Sequence, residues 1–363
     1  MNFDFSDDQR RLQAEVQRML AEHSNSAAVR RVLDGGYIYC HDSWRQLADI
    51  GALGIAIPEN DGGAGMTHLE LCLIAEEAGR ALAAVPLSSS IYLAAEAIKR
   101  CTNQTQKTKW LSRLSSGEII GTAMITSHHQ HAFRSDELRL TDNKLSGTLN
   151  AAPDGMAADI CVMLVGDKLA LIDLSANGVT RTKQASLDPT RSLAKIVCNN
   201  VPADILAETG GKEIAAKVSD GAAVLIAFEQ IGGAERALYA ARDYVMERRA
   251  FGRIVGGFQA VKHRLAEIYT AIELARAHAY FGAWALATDA DELPRAAAAA
   301  RVAATQAYNL AAEEGLHLHG GIGFTWETDC HIHLRRSRWL GQIIGNEHFW
   351  RERLAATLIE EAA

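Results

Sequence analysis

A chain of 363 residues, 48% of them hydrophobic and only 6 of them proline, carries enough apolar material for two or three domains with buried cores. Its 37 Lys and Arg against 44 Asp and Glu leave a net charge of -7 without a long basic run, so neither nucleic acid nor a membrane surface is an expected partner. The opening MNFDFSDDQRRLQ lacks the charged-then-apolar pattern of a signal peptide, and no apolar run approaches the roughly 18 residues that cross a bilayer; a cytoplasmic protein is expected. The six cysteines (Cys40, Cys72, Cys101, Cys161, Cys198 and Cys330) are scattered with no C-x-x-C pair, which predicts buried, reduced thiols and no metal site.

From Ser6 to about residue 120 the pattern is helical. Leu12, Val16, Met19 and Leu20 share one face behind a Ser6 cap, and Thr67-His68-Leu69-Glu70 forms a capping box ahead of the apolar run around Leu71 and Ile74. Between them Pro58 and the glycines of IPENDGGAGM enforce a loop. The period then changes: EIIGTAMIT, KLSGTLNAA, DICVMLV, KLALIDL and AKIVCNNV are short β-branched runs separated by turn residues, which predicts a small antiparallel β-domain. Helical signals return in GAAVLIAFEQIGGAERALYAARDYVMERR and in the alanine-rich PRAAAAARVAATQAYNLAAEEGLHLH, where Pro294 suits a first helical turn. The predicted fold class is α+β, with an N-terminal helical domain at 1–120, a middle β-domain at 121–207 and a C-terminal four-helix bundle at 208–363. Long alanine-rich helices need neighbours on several sides, which predicts an oligomer.

The most specific segment runs from Glu247 to His263, ERRAFGRIVGGFQAVKH, as helix, glycine-marked turn and helix. Arg248 and Arg249 offer forks for phosphate, Phe251 a flat apolar face for a ring, and Gln259 paired hydrogen bonds for a heterocycle. At this point the chain resembles the acyl-CoA dehydrogenases, in which R-x-x-F-G and F-Q-A-V reach across a subunit boundary to the adenosine and pyrophosphate of a neighbour's FAD. The resemblance implies FAD contacts at Arg248, Phe251, Gly252 and Gln259. Further along, LHGGIGFTWE at residues 318–327 is similar to the family's G-G-x-G-F turn and adds Gly320 and Gly321. The strand-borne G-x-G-x-x-G of a Rossmann domain is absent. The segment WRQLADIGALGIAIPENDGGAGMTHLELCLIAEEAGRALAAVPL looks like the family's N-terminal domain, so the resemblance spans nearly the whole chain.

Dehydrogenation of an acyl thioester needs a base, ordinarily a carboxylate, across the substrate from the flavin. Counting along the family's spacing from Gly320 lands on Ile344, before Gly345, and the alternative position in the preceding long helix falls on Ala222; neither side chain accepts a proton. Asp220 lies on another face of that helix, and Glu229 is the nearest candidate on the Ala222 face, though a buried structural role is the better reading of it. The family's T-E-P-G-A-G-S-D-like turn is replaced by the segment Ile125 to His131, and its W-I-T-N-like strand by Asn150-Ala151-Ala152-Pro153. His128, His129 and His131, like the pairs His317/His319 and His331/His333, lack the distant partner of a metal site. Arg335, Arg336 and Arg338 either pair with acids or receive CoA phosphates.

Lost base, lost flavin wall and retained adenosine clamp resemble the base-lacking chain of heteromeric acyl-CoA dehydrogenases of bacterial sterol degradation. The resemblance implies an acyl-CoA substrate, FAD, a homologous partner in a heterotetramer and an electron-transfer flavoprotein as acceptor. Two alternatives stand beside it: a self-sufficient homotetramer with an unusual base, and a non-redox scaffold or acyl-CoA-binding homologue.

Overall fold

The computed structural model describes residues 5–125 and 135–362. The histidines at 128, 129 and 131 and most of the segment that replaces the family's flavin-side turn lie outside the described residues.

Six helices open the chain: α1 (Asp7–His23), α2 (Ser26–Leu33), α3 (His41–Asp49), α4 (His68–Arg80), α5 (Glu96–Lys99) and α6 (Gln104–Ser115). Both predicted starts form capping boxes, Ser6 with Gln9 and Thr67 with Glu70, so two otherwise orphaned amides are paired at each start. Every α4 residue from Leu71 to Gly79 is buried. A π-helical stretch, Ser88–Ala95, precedes α5; all eight of its residues are buried, three consecutive serines among them. That widened turn is invisible to a 3.6-residue pattern, and its three serine hydroxyls are all used: Ser90 accepts from the Gly121 amide at 3.0 Å, Ser89 donates to Asp154 at 2.7 Å and Ser88 accepts from Arg191 at 2.7 Å.

The strands are β1 (Gly121–Met124), β2 (Ser135–Thr141), β3 (Lys144–Pro153), β4 (Ile160–Val165), β5 (Lys168–Asp173), β6 (Val179–Gln184) and β7 (Leu193–Ala207). The 15-residue β7 is the hub, pairing with β3, β5 and β6. One pairing departs from the antiparallel expectation. β1 runs parallel to β4, Gly121 opposite Ile160, because it enters from the helical domain and the β2–β3 excursion intervenes before β4. β6, VTRTKQ, is mostly exposed and too polar to announce itself as a strand; it is held by ladder bonds to β7.

Three long helices follow: α7 (Gly211–Glu247), α8 (Gln259–Ala287) and α9 (Leu293–Leu318), with the shorter α10 (Cys330–Leu340) and α11 (Glu347–Ala362) against α9. The expected fourth long helix is thus split in two, and α4 of the first domain lies against α7. Gly79 of α4 and Gly232 of α7 make that crossing possible. A Cβ on Gly79 would lie 1.8 Å from the Glu229 carbonyl, and one on Gly232 would lie 1.8 Å from the Glu76 carbonyl, so the backbones meet where no side chain fits. Among the described residues no helix is long and apolar enough to cross a membrane.

The loop before α4 is fastened to α5 by charge. Glu96 accepts from His68 at 3.1 Å and pairs with Lys99, which also donates to the Ala56 carbonyl at 3.1 Å. Burial opposes ionisation of Glu96, but His68 and Lys99 outweigh it and hold its carboxyl down at about 2, against an ordinary 4.5. Because the folded value lies below the unfolded one, the stabilisation is fully present above pH 4.5 and disappears as pH falls toward 2. Glu96→Gln is expected to lower unfolding free energy by roughly 2–3 kcal/mol at pH 7 and by progressively less toward pH 2. Urea melts of both proteins across that range check it, and a pH-independent difference would remove the electrostatic account.

Candidate functional site

At its C-terminal end α7 stops at Glu247, and Arg248 turns into extended backbone while its amide still bonds the Tyr244 carbonyl. Two short strands, β8 (Arg249–Ala250) and β9 (Arg253–Ile254), then pair as a hairpin, with Arg249 opposite Ile254 and Ala250 opposite Arg253. Phe251 and Gly252 are its two turn residues, at φ +51° and +78°. Two positive φ values match the twist of a tight hairpin; glycine adopts them freely, whereas a phenylalanine in that region is strained. The strained Phe251 is also 95% exposed, so its ring gains no burial within the chain. Its one recorded ring contact is edge-on to Phe258 at 6.3 Å, and the Arg253 guanidinium covers the Phe258 face at 3.8 Å. Gln259 is the first residue of α8. The sequence pattern of helix, turn and helix missed this hairpin because two-residue strands are too short to show a period.

The second segment lies at the end of α9. His319 is buried, its Nδ1 2.6 Å from the Gly315 carbonyl, and its ring stacks on Tyr244 at 4.5 Å. Tyr244 is four residues, one helical turn, before Arg248, so this stack brings the α7 hairpin and the Gly320–Phe324 turn to the same end of the bundle. Gly323 is required there: a Cβ would lie 2.3 Å from the Leu316 carbonyl. Gly252, Gly257, Gly320 and Gly321 face open space, with nothing within 4 Å of an added Cβ, and Phe324 and Trp326 stand exposed beside them. A strained, exposed aromatic, two exposed guanidinium groups and open glycine backbone thus lie at one end of the bundle. His317 lies near Phe324 and His331 near Trp326, while His333 is buried against the Tyr308 hydroxyl at 3.1 Å, so the members of each pair have different surroundings.

At the two positions where the resemblance places a base, the picture inverts. Ala222 is 0% and Ile344 2% exposed. Glu229, two helical turns beyond Ala222, is equally sealed: one carboxylate oxygen lies 3.8 Å from both Arg191 and Arg336, and the other is buried without a hydrogen-bond partner. Around it three guanidinium and three carboxylate groups balance. Arg191 pairs with Asp154 at 2.5 Å and lies over the Trp339 ring at 4.1 Å; Arg336 pairs with Asp188 at 2.6 Å; Arg301 bonds Gln230 at 2.6 Å and the Leu340 carbonyl. Burial raises the Glu229 carboxyl above its ordinary range, against the pull of Arg191 and Arg336, and burial brings Arg301 down to about 9. Glu229 is buried beside two cations that hold the β-domain loop and α10 against α7. The open question of the arginine cluster resolves within the chain: Arg336 pairs with Asp188, Arg335 donates to the Leu187 carbonyl at 3.0 Å, and Arg338 pairs with Glu313. Sequence reasoning missed Asp154, Asp188 and Arg191, whose ion-pair partners are between 37 and 148 residues away in the chain.

Asp220 pairs with Arg353 of α11 at 2.7 Å, and burial pushes its carboxyl up to about 6. It ties α11 to α7 and faces neither the hairpin nor the glycine turn.

Comparison with known proteins places these features in a family. Residues 6–118 match the acyl-CoA dehydrogenase N-terminal domain, and residues 209–359 match the acyl-CoA dehydrogenase C-terminal domain. The chain is 32% identical over 337 residues to acyl-CoA dehydrogenase IpdE2 of Mycobacterium tuberculosis, covering 92% of each protein. Among solved structures it is similar to a chain of the ChsE4-ChsE5 complex from Mycobacterium tuberculosis, with a TM-score of 0.89 at 25% identity over 99% of both chains. It is also similar to a chain of the Tcur3481-Tcur3483 steroid ACAD G363A variant, with a TM-score of 0.88 at 27% identity over 98% of this chain and 99% of that one. Helical, β and helical parts in this order, matched at both ends by the family's own domains, make the chain a member of the acyl-CoA dehydrogenase family of FAD-dependent oxidoreductases.

Proposed function

We propose that this chain is the non-basic subunit of a heteromeric acyl-CoA dehydrogenase, supplying the adenosine and pyrophosphate surface of an FAD site that a homologous subunit completes. The observation that carries this reading is the pairing of an exposed clamp at Phe251 and Gly320 with sealed apolar side chains at Ala222 and Ile344. The residues present fit the adenosine end of FAD. Arg248 and the open backbone at Gly320 and Gly321 suit a pyrophosphate, Phe251 suits a ring face, and Gln259 suits the hydrogen-bonding edge of a heterocycle. Bound FAD supplies the acceptor for the hydride that leaves the acyl β-carbon. The α-proton needs a carboxylate, and neither usual position here has one, so removing it falls to the partner subunit.

Two of the similar structures support a partner-dependent reading: one is the ChsE4-ChsE5 complex and the other the Tcur3481-Tcur3483 steroid ACAD. The same likeness makes a steroid-derived acyl-CoA thioester the proposed substrate class, with an electron-transfer flavoprotein as acceptor. Tyr269 and Leu274 of α8 are more than half exposed and provide apolar surface for a subunit interface.

The test is the flavin-to-protein ratio from visible absorption. This chain is purified alone and after co-expression with a homologue that carries a carboxylate at the position of Ile344. Flavin retained only in the co-purified complex, at about one per two chains, is the expected outcome; one flavin per isolated chain with full turnover would overturn the reading and restore a self-sufficient homotetramer.

Two substitutions separate clamp from scaffold. Phe251→Ala is expected to leave unfolding free energy within about 0.5 kcal/mol, because the ring is exposed, while abolishing flavin retention by the complex. Arg191→Ala strands the buried Asp154 and is expected to cost about 3–5 kcal/mol. Chemical denaturation beside flavin absorption checks both, and a Phe251 variant that keeps its flavin would remove that residue from the clamp.

A further inference from the structure

A cavity of about 560 Å³ lies where α1, α2 and the end of α4 meet α7, α9 and the start of α10. None of the clamp residues lines it, nor do Ala222 and Ile344. Small side chains line its bundle side, Ala237 and Ala240 from α7 and Ala312 and Gly315 from α9, where larger ones would take up the space. Val29, Leu82 and Ile332 supply the opposite apolar wall and belong to a buried cluster separate from the main core. That wall is held in a set shape: Leu82 sits at φ +50°, strained for a branched residue, and Arg336 bonds its carbonyl and that of Ala83.

Among the described residues, the Ser24 hydroxyl and the Arg236 guanidinium of the lining have no protein partner. Ser24 is 3% exposed and its hydroxyl is buried with no hydrogen bond, an arrangement that costs about 1–3 kcal/mol unless something else satisfies it. Arg236 has no carboxylate within ion-pair distance among the described residues, unlike its neighbour Arg80, which is bound by Glu76, Glu77 and Glu235. The acidic groups of the lining are already neutralised, Glu77 by Arg80 at 2.9 Å and Asp329 by Arg30 at 2.7 Å. His333, also in the lining, is kept uncharged at neutral pH by burial and by Arg236, so it adds no competing charge. The cavity therefore offers one uncommitted cation, one unsatisfied hydroxyl and an apolar body, at a volume within the usual range of small-molecule sites.

We propose that this cavity is a second small-molecule site, apart from the FAD and acyl-CoA sites, that takes an amphiphilic anion. A carboxylate or phosphate head pairs with Arg236 and accepts from Ser24, and a short apolar chain lies over Ala237, Ala240 and Ala312. The probes are octyl phosphate and octanoate, with octanol as the uncharged control, titrated calorimetrically into the full chain below their micelle concentrations. Saturable binding of one anion per chain is expected, with octanol at least about tenfold weaker. Arg236→Gln should weaken both anions by about tenfold while leaving octanol unchanged, and Ala240→Leu should weaken all three probes with Tm kept within about 2 °C. Tighter binding of octyl phosphate identifies a phosphate ester as the ligand class; tighter binding of octanoate identifies a free acid. Anion affinities unchanged in either variant, or no saturable binding to the unsubstituted chain, would overturn the proposal.

Discussion

One buried cluster of charges joins the three parts of this molecule. Asp154, Asp188 and Arg191 come from the β-domain and its loops, Glu229 from the middle of α7, Arg301 from α9 and Arg336 from α10. Burying six ionisable groups is costly, and the cost is offset only because each has an opposite charge or a hydroxyl within reach. Such a cluster forms in one arrangement of the three parts and in no other. It fixes the β-domain against the bundle, and the π-helical serines close it from the first domain. The Gly79–Gly232 crossing of α4 and α7 sets the backbone of Glu229 at the same place, so apolar close approach and ionic pairing constrain the same point.

That constraint has a functional price. A catalytic carboxylate needs access to substrate and freedom to change protonation, whereas Glu229 sits between two guanidinium groups with no opening to solvent. Ala222 and Ile344 are packed as core residues. The far end of α7 has the opposite character: strained, exposed and rich in open glycine backbone. Rigidity in the middle of a 37-residue helix and an exposed hairpin at its end are what the proposed division of labour between two chains would require.

The Tyr244–His319 stack joins these regions. By holding the ends of α7 and α9 together it places hairpin and glycine turn side by side, and the His319 ring also lines the cavity between the N-terminal helices and the bundle. His319 is thus a residue shared by the cavity and by the contact that places the glycine turn.

Much of this was legible in the residues. Capping boxes at Ser6 and Thr67, β-branched runs between turn residues and long alanine-rich helices are local signals, set by hydrogen bonding and side-chain period within one turn or strand. The motif from Arg248 to Gln259 and the absence of a carboxylate at Ile344 and Ala222 were equally plain, since they depend on residue identity at a spacing. The parallel β1–β4 pair, the two-residue hairpin, the π-helical serines and the partners of Arg191 and Arg336 were not. Those depend on groups that meet across as many as 148 residues of chain, and a sequence pattern carries no term for such a meeting. Sequence alone thus determined the family and the order of its parts, and the residue identities at Ala222 and Ile344. Only the tertiary structure decided that Glu229 is locked between two arginines and that Phe251 is strained outward, because burial and strain exist only once distant segments have closed around them.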